Sequence, residues 1–231
     1  MIIDIKLDTN SNTALVTKNV SGVKKEFTVA TSDLIDSFKL SKSNTDDKNF
    51  KPIIGLIQQK KNGYELIQTI QIAKQGFIYI FKVDKKRIPF YIYDKCYGVC
   101  GMPSLLVAVK VVNKKFNGMY VQAIKEDTII ENSSPLYIYP FSNTSCNTGS
   151  VCFGLNSFEQ KLNSIEDIVR LIDYFYEIPN TSEMFRVLNN KPKLQFRELA
   201  STLKDEDFND DFLVENSSVP NYEMWLSQIL R

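Results

Sequence analysis

An α+β fold with its strands first and its helices last is what the sequence predicts, and three observations carry that prediction. Up to residue 140 the apolar runs are short, rich in Ile, Val, Tyr and Phe, and divided by Asn, Ser and Gly turn signals. From residue 164 onward the apolar spacing changes to three and four, the period of one helix face. Between these regions lies a polar loop that holds a cysteine between two glycines. Strands grouped before helices, without βαβ alternation, mark an α+β layering.

At the N-terminus IIDIKL (2–7), TALVTK (13–18) and KKEFTVA (24–30) predict a short meander. SDLIDSFKL (32–40), headed by Ser32, predicts an amphipathic helix, and GYELIQTIQIAK (63–74) reads as a helix or a strand. GFIYIFKV (76–83), IPFYIYD (88–94), SLLVAVKVV (104–112), MYVQAIK (119–125) and PLYIYP (135–140) predict five strands of an antiparallel sheet. CYGVCG (96–101) reads as a tight turn, and KKNG (60–63) and DKKR (84–87) as solvated turns. Phe77, Tyr79, Phe81, Phe90, Tyr91 and Tyr93 read as core aromatics on strands.

In NSIEDIVRLIDYFYEIPN (163–180) the residues Ile165, Ile168, Val169, Ile172, Phe175 and Tyr176 make one apolar face, and Ser164 with Asp167 makes a capping box. KLQFRELASTL (193–203) predicts a second helix, and DEDFNDD (205–211) an acidic solvated linker. NYEMWLSQILR (221–231) predicts a terminal helix that docks Trp225, Leu226 and Ile229.

Composition excludes more chemistry than it admits. The 28 basic and 27 acidic residues nearly cancel, so nothing marks the chain for nucleic acid or an anionic membrane. The first twenty residues lack a basic start with an apolar run, and no stretch is long and apolar enough to span a bilayer, so a cytoplasmic protein is expected. The chain contains no histidine, which removes Ser-His-Asp and Cys-His mechanisms, His-containing zinc sites and a histidine general base. Cys96, Cys100, Cys146 and Cys152 are too few for the staples of a small secreted domain. As a four-cysteine zinc site their spacing is loose, since Cys146 and Cys152 are separated by five residues, and neither a metal nor a cofactor is expected.

The candidate chemistry lies in PLYIYPFSNTSCNTGSVCFGLN (135–156). Gly149 and Gly154 flank Cys152 and permit close backbone approach and positive φ, as a reactive thiol in a shallow groove requires. The other reading of Cys152 is a small packing residue at a strand end.

The order of strand meander, Pro and Asn in a loop, Gly-x-Val-Cys and then helices resembles the ubiquitin-conjugating enzymes. LYIYPFSN and GSVCFG, with MPSLLVAVKV (102–111) upstream, look like the bacterial ubiquitin-conjugating-like proteins of the PRTRC system protein B type. The resemblance covers roughly residues 88–180, and its specific part surrounds Cys152. It implies an antiparallel meander flanked by helices, and a Cys152 thiolate that accepts a ubiquitin-like modifier as a thioester and passes it to an amine. Asn143 matches the motif asparagine, which stabilises the oxyanion or braces the loop. Gly149, Val151, Gly154 and Pro140 would frame the site. The implied partners are a ThiF-type activating enzyme and the modifier.

The motif histidine has no counterpart here, and Phe141 and Ser142 separate Pro140 from Asn143. A base would then be a carboxylate, or water would take the proton; Asp173, Glu177 and Asn180 are the residues considered. A noncatalytic interaction module that retains the fold is the competing reading. The expected organisation is a β-rich extension over 1–70, a conjugating-like core over 71–205, and an acidic linker with a terminal helix over 206–231.

Overall fold

A computed structural model describes residues 2–7, 12–20, 23–32, 34, 53–55, 59–154, 158 and 160–231. Strands β1 (Ile2–Leu7), β2 (Thr13–Val20) and β3 (Val23–Ala30) form the expected antiparallel meander, with Ile5 opposite Val16 and Val16 opposite Phe27. The helix expected over 32–40 falls, apart from Ser32 and Leu34, outside the described residues.

The central sheet is built from β4 (Ile53–Gly55), β5 (Gln59–Lys61), β6 (Tyr64–Ala73), β7 (Gly76–Val83), β10 (Ser104–Val112) and β11 (Lys115–Ile124). Its order is β11-β10-β7-β6-β4, with β5 also on β6, and every pairing is antiparallel. The ambiguous GYELIQTIQIAK segment resolves as strand: Tyr64, Leu66, Gln68 and Ile70 are buried and their neighbours half-buried, the period of two of a pleated strand. Residue 70 therefore lies inside β6.

Strand β10 is apolar at nearly every position because both its faces are covered. Leu105, Val107 and Val109 join a core with the helices α1 (Ile165–Glu177) and α2 (Phe196–Thr202). Leu106 and Ala108 join a second core with Ile70, Ile80 and the helix α3 (Tyr222–Ile229). Each large apolar side chain so buried contributes about 1.5–3 kcal/mol.

Helix α1 begins as expected, with the Ser164 hydroxyl accepting from Asp167 N and the Asp167 carboxylate accepting from Ser164 N. Ile168, Leu171, Ile172, Phe175 and Tyr176 form its buried face. In α3, Trp225 and Ile229 are buried and Leu226 is partly so, behind an Asn221 cap.

Several local expectations are corrected. The five strands do not share one sheet: β8 (Lys86–Ile92) and β9 (Lys95–Met102) form a separate hairpin, whose Pro89 lacks the N–H an interior strand needs. CYGVCG is part of β9, and the turn instead falls just before it, at Tyr93 with φ 54°. PLYIYP makes only isolated bridges, Pro135 with Asn221 and Tyr137 with both Ala123 and Glu215, because the prolines at either end cannot donate to a ladder.

The acidic DEDFNDD segment is exposed at most positions, as expected, but it is anchored to the fold. Phe208 is buried, Asp207 pairs with Arg87 Nε at 2.7 Å, and Asp210 pairs with Lys85 at 3.0 Å. Within DKKR, Lys86 is half-buried. Its ammonium lies 3.9 Å from the Tyr176 ring centre and 4.8 Å from that of Tyr64. Of the aromatics read as core, Phe81 and Phe90 are buried, but Tyr91 and Tyr93 stand exposed on the β8–β9 hairpin.

Candidate functional site

The approach to Cys152 starts from a buried aromatic anchor. Phe141 is fully enclosed, with ring centres 5.0 Å from Phe90 and 5.5 Å from Tyr139, and Pro140 beside it is buried. Ser142 N donates to Asn180 Oδ1 at 3.4 Å, which ties the next residue to the segment after α1. At Asn143 the backbone turns left-handed, with φ 64°, a conformation that Asn tolerates better than most side chains. Its Nδ2 donates to Pro179 O at 3.1 Å, and its own carbonyl accepts from Cys152 N at 2.8 Å.

Residues 143–152 thus close a short hairpin. Thr144 bridges Val151, Ser145 N donates to Ser150 O at 2.9 Å, and Gly149 N donates to Ser145 O at 2.9 Å. The second limb lies along β11, where Val121 N donates to Gly149 O at 2.8 Å and Val151 N to Met119 O at 2.9 Å. Gly149 has φ +74°, and a Cβ there would lie 2.0 Å from Val121 O, so both conformation and space require glycine. The close approach it permits is to the chain's own β11.

Cys152 emerges from this hairpin exposed, and no described residue hydrogen-bonds its Sγ. Phe153 then turns inward, 5.1 Å from Phe116 of β11 and stacked 6.3 Å from Tyr174 of α1. Gly154 has φ +59°, and among the described residues nothing lies within 4 Å of where its Cβ would stand.

Of the three residues considered as bases, the side chains of Asp173 and Asn180 already have partners. Asp173 is engaged by Lys86 Nζ at 3.1 Å and by the Tyr64 hydroxyl, which donates to it. Burial depresses the Lys86 ammonium below the usual lysine range, and burial with the Asp173 hydrogen bond raises the Tyr64 phenol. Glu177 is exposed on α1. Asn180 spends its side chain on Ser142 N and on Tyr91 O, to which Nδ2 donates at 3.3 Å. A cleft of about 290 Å³ between the β5–β6 hairpin and α1, with Leu66, Val169 and Asp173 among its walls, does not include the cysteine hairpin.

The other thiols separate by environment. Cys96 is exposed, Cys146 is half-buried, and Cys100 is buried with its Sγ donating to Ala200 O at 3.3 Å. Burial pushes the Cys100 thiol up to about 11. Among the described residues no three Cys, Asp or Glu side chains converge on a metal position, and the four cysteines do not form a zinc cluster.

Two residues that sequence reasoning did not assign to the site contact its hairpin. Asn216 Nδ2 donates to Asn147 O at 2.9 Å, and Trp225 Nε1 donates to Thr148 O at 3.0 Å. Trp225 was legible as a core anchor, but nothing in its spacing announced the polar contact.

Among the described residues no helix is long and apolar enough to cross a membrane. Residues 53–215 match the family described as prokaryotic E2 family D (Prok-E2_D). No curated protein matches the chain, and no solved structure does.

Proposed function

Because the chain belongs to prokaryotic E2 family D, a ubiquitin-conjugating-like family, we propose that Cys152 carries a ubiquitin-like modifier as a thioester and passes it to an amine. The observation that supports this most directly is the contrast within one short segment. The hairpin backbone is bonded to β11 and Asn143, while the thiol at its end is exposed.

The reaction runs in two exchanges. The Cys152 thiolate attacks the thioester carbonyl held by a ThiF-type activating enzyme; a C–S bond forms to Cys152 and the donor thiolate leaves. An amine then attacks the same carbonyl, an amide forms, the amine loses its proton to water, and the Cys152 thiolate departs. The Asn143 side chain braces the loop through Pro179 O, and we assign its second Nδ2 hydrogen to the oxyanion of each tetrahedral intermediate. Gly149, Val151 and Pro140 hold the hairpin, and among the described residues none crowds Gly154 beyond the thiol.

The finer likeness to PRTRC system protein B rests on Tyr139-Pro140-Phe141-x-Asn143 and Gly149-x-Val151-Cys152-x-Gly154. It favours a bacterial conjugation system in the cytoplasm, where the activating enzyme has ATP.

Intact mass spectrometry tests the reading, with ATP, a ThiF-type activating enzyme and its modifier. An adduct of the modifier's mass is expected that reductant removes and Cys152→Ala prevents, while Cys152→Ser yields a reductant-resistant ester. If the activating enzyme charges itself and no adduct forms on this chain, the noncatalytic interaction module takes its place.

A further inference from the structure

The turn of the cysteine hairpin presents three successive carbonyls, those of Cys146, Asn147 and Thr148, to the C-terminal segment. Asn216 is buried, and its Oδ1 is fixed by Ser218 N at 3.0 Å and Val219 N at 3.3 Å. That leaves Nδ2 pointing at Asn147 O at 2.9 Å, Cys146 O at 3.2 Å and Gln122 Oε1 at 3.0 Å. The Trp225 indole is fully buried in the core beneath the sheet, and its N–H reaches Thr148 O. Gln122 belongs to β11, so Asn216 spans the hairpin turn and the strand on which the hairpin lies.

We propose that Asn216 and Trp225 are positioning residues for Cys152, clamping its hairpin against β11; the assignment rests on Cys152 being the thioester-bearing group. Both lie beyond residues 53–215, the part that matches the family. The clamp acts through Gly149. Its backbone sits so close to Val121 that no Cβ would fit, and the turn cannot shift without breaking the Gly149 and Val151 bonds that set where Cys152 emerges. Rotation of the turn by a fraction of an ångström redirects the Cys152 Cα–Cβ bond, and reacting groups tolerate little misplacement.

The test uses the full chain with Trp225→Phe, which keeps an aromatic ring and removes the N–H, and Asn216→Asp, which faces three acceptor oxygens with another acceptor. Hydrogen exchange is followed over residues 144–152 and over α1, and discharge of the preformed thioester to a free amine is followed in a single turnover. In both variants the Gly149 and Val151 amides are expected to exchange faster while α1 does not, and the discharge rate constant is expected to fall about ten- to a hundredfold. A merely structural defect lowers the amount of charged protein and leaves that rate constant alone.

Unchanged exchange in the hairpin of Trp225→Phe, or an unchanged discharge rate constant, overturns the clamp. Should Asn216→Asp not fold, Trp225→Phe decides. If the wild-type chain is never charged by an activating enzyme that charges itself, the thioester reading falls, and so does the catalytic meaning of the clamp. Hairpin exchange then separately reports whether the two residues hold the turn.

Discussion

Gly149 and Gly154 flank the same thiol, yet the structure assigns them different physical demands. Gly149→Ala forces a Cβ onto Val121 O in a left-handed backbone, and a loss of about 3 kcal/mol or more is expected from strain and overpacking together. Gly154→Ala meets none of the described residues and carries the left-handed penalty, about 1–2 kcal/mol. Urea denaturation of the two variants checks the order, and equal midpoints would contradict the close contact. For Asn143→Ala the expectation is a fall in thioester discharge of about a hundredfold if the amide serves the oxyanion. A melting shift with no change in discharge would make Asn143 a brace only. At this scale the sequence was legible where a residue type is itself unusual: a cysteine between glycines needs no structure to be noticed. The bracing roles of Asn180, considered only as a base, and of Asn216 were not legible, because a buried asparagine is defined by the groups around it, and those come from residues far away in the chain.

Strands and helices were legible where their period was clean. β10 and α1 follow directly from an apolar run and from a three-four spacing with a capping box. PLYIYP has the composition of a strand and was misread because its flanking prolines act on hydrogen bonding, which side-chain pattern does not report. DKKR was misread for a related reason. Four polar residues look solvated until β8 carries Lys86 beneath α1, where Tyr64, Tyr176 and Asp173 enclose its ammonium. Lys86→Ala removes this packing and leaves the Tyr64 and Asp173 oxygens without their cation, so a loss of about 1–3 kcal/mol is expected in denaturant titrations. Lys86→Met keeps the aliphatic contact and should recover part of it. A Met variant no better than Ala would place the effect in the charge.

For the molecule as a whole, the absence of histidine removes the side chain that ordinarily titrates near neutrality, so stability should be nearly flat from about pH 6 to 8. On the alkaline side the signs are set by burial. Cys100 at about 11, and Tyr64, Tyr79, Tyr139, Tyr176 and Tyr222, all raised, hold their protons more tightly folded than unfolded. Their contribution is complete below the ordinary thiol and phenol values and is lost as pH rises through the folded ones. The depressed Lys86 and Tyr93 have the opposite sign and gain with pH, but they are two groups against these six. Urea midpoints should therefore decline from about pH 9 upward, starting with Cys100; a midpoint that rises there would contradict the burial of these groups. Chain length matters as much as pH. Ending the chain at Glu215 discards Val219, Tyr222, Trp225 and Ile229, all buried, at about 1.5–3 kcal/mol each, and circular dichroism should show no cooperative melt. We propose that the N-terminal extension ends nearer residue 52 than 70, since a cut at 70 divides β6; a chain starting at 53 should melt cooperatively. The two-sided attachment of Cys152 also has a mechanical meaning. If Cys152 carries the proposed modifier, a polypeptide hung on this sulfur pulls against backbone bonds to β11 on one side and against the wedged Phe153 ring on the other. Such a load is borne by the sheet and the packed rings through the backbone, while the exposed side chain of Cys152 supplies the bonds about which the cargo turns.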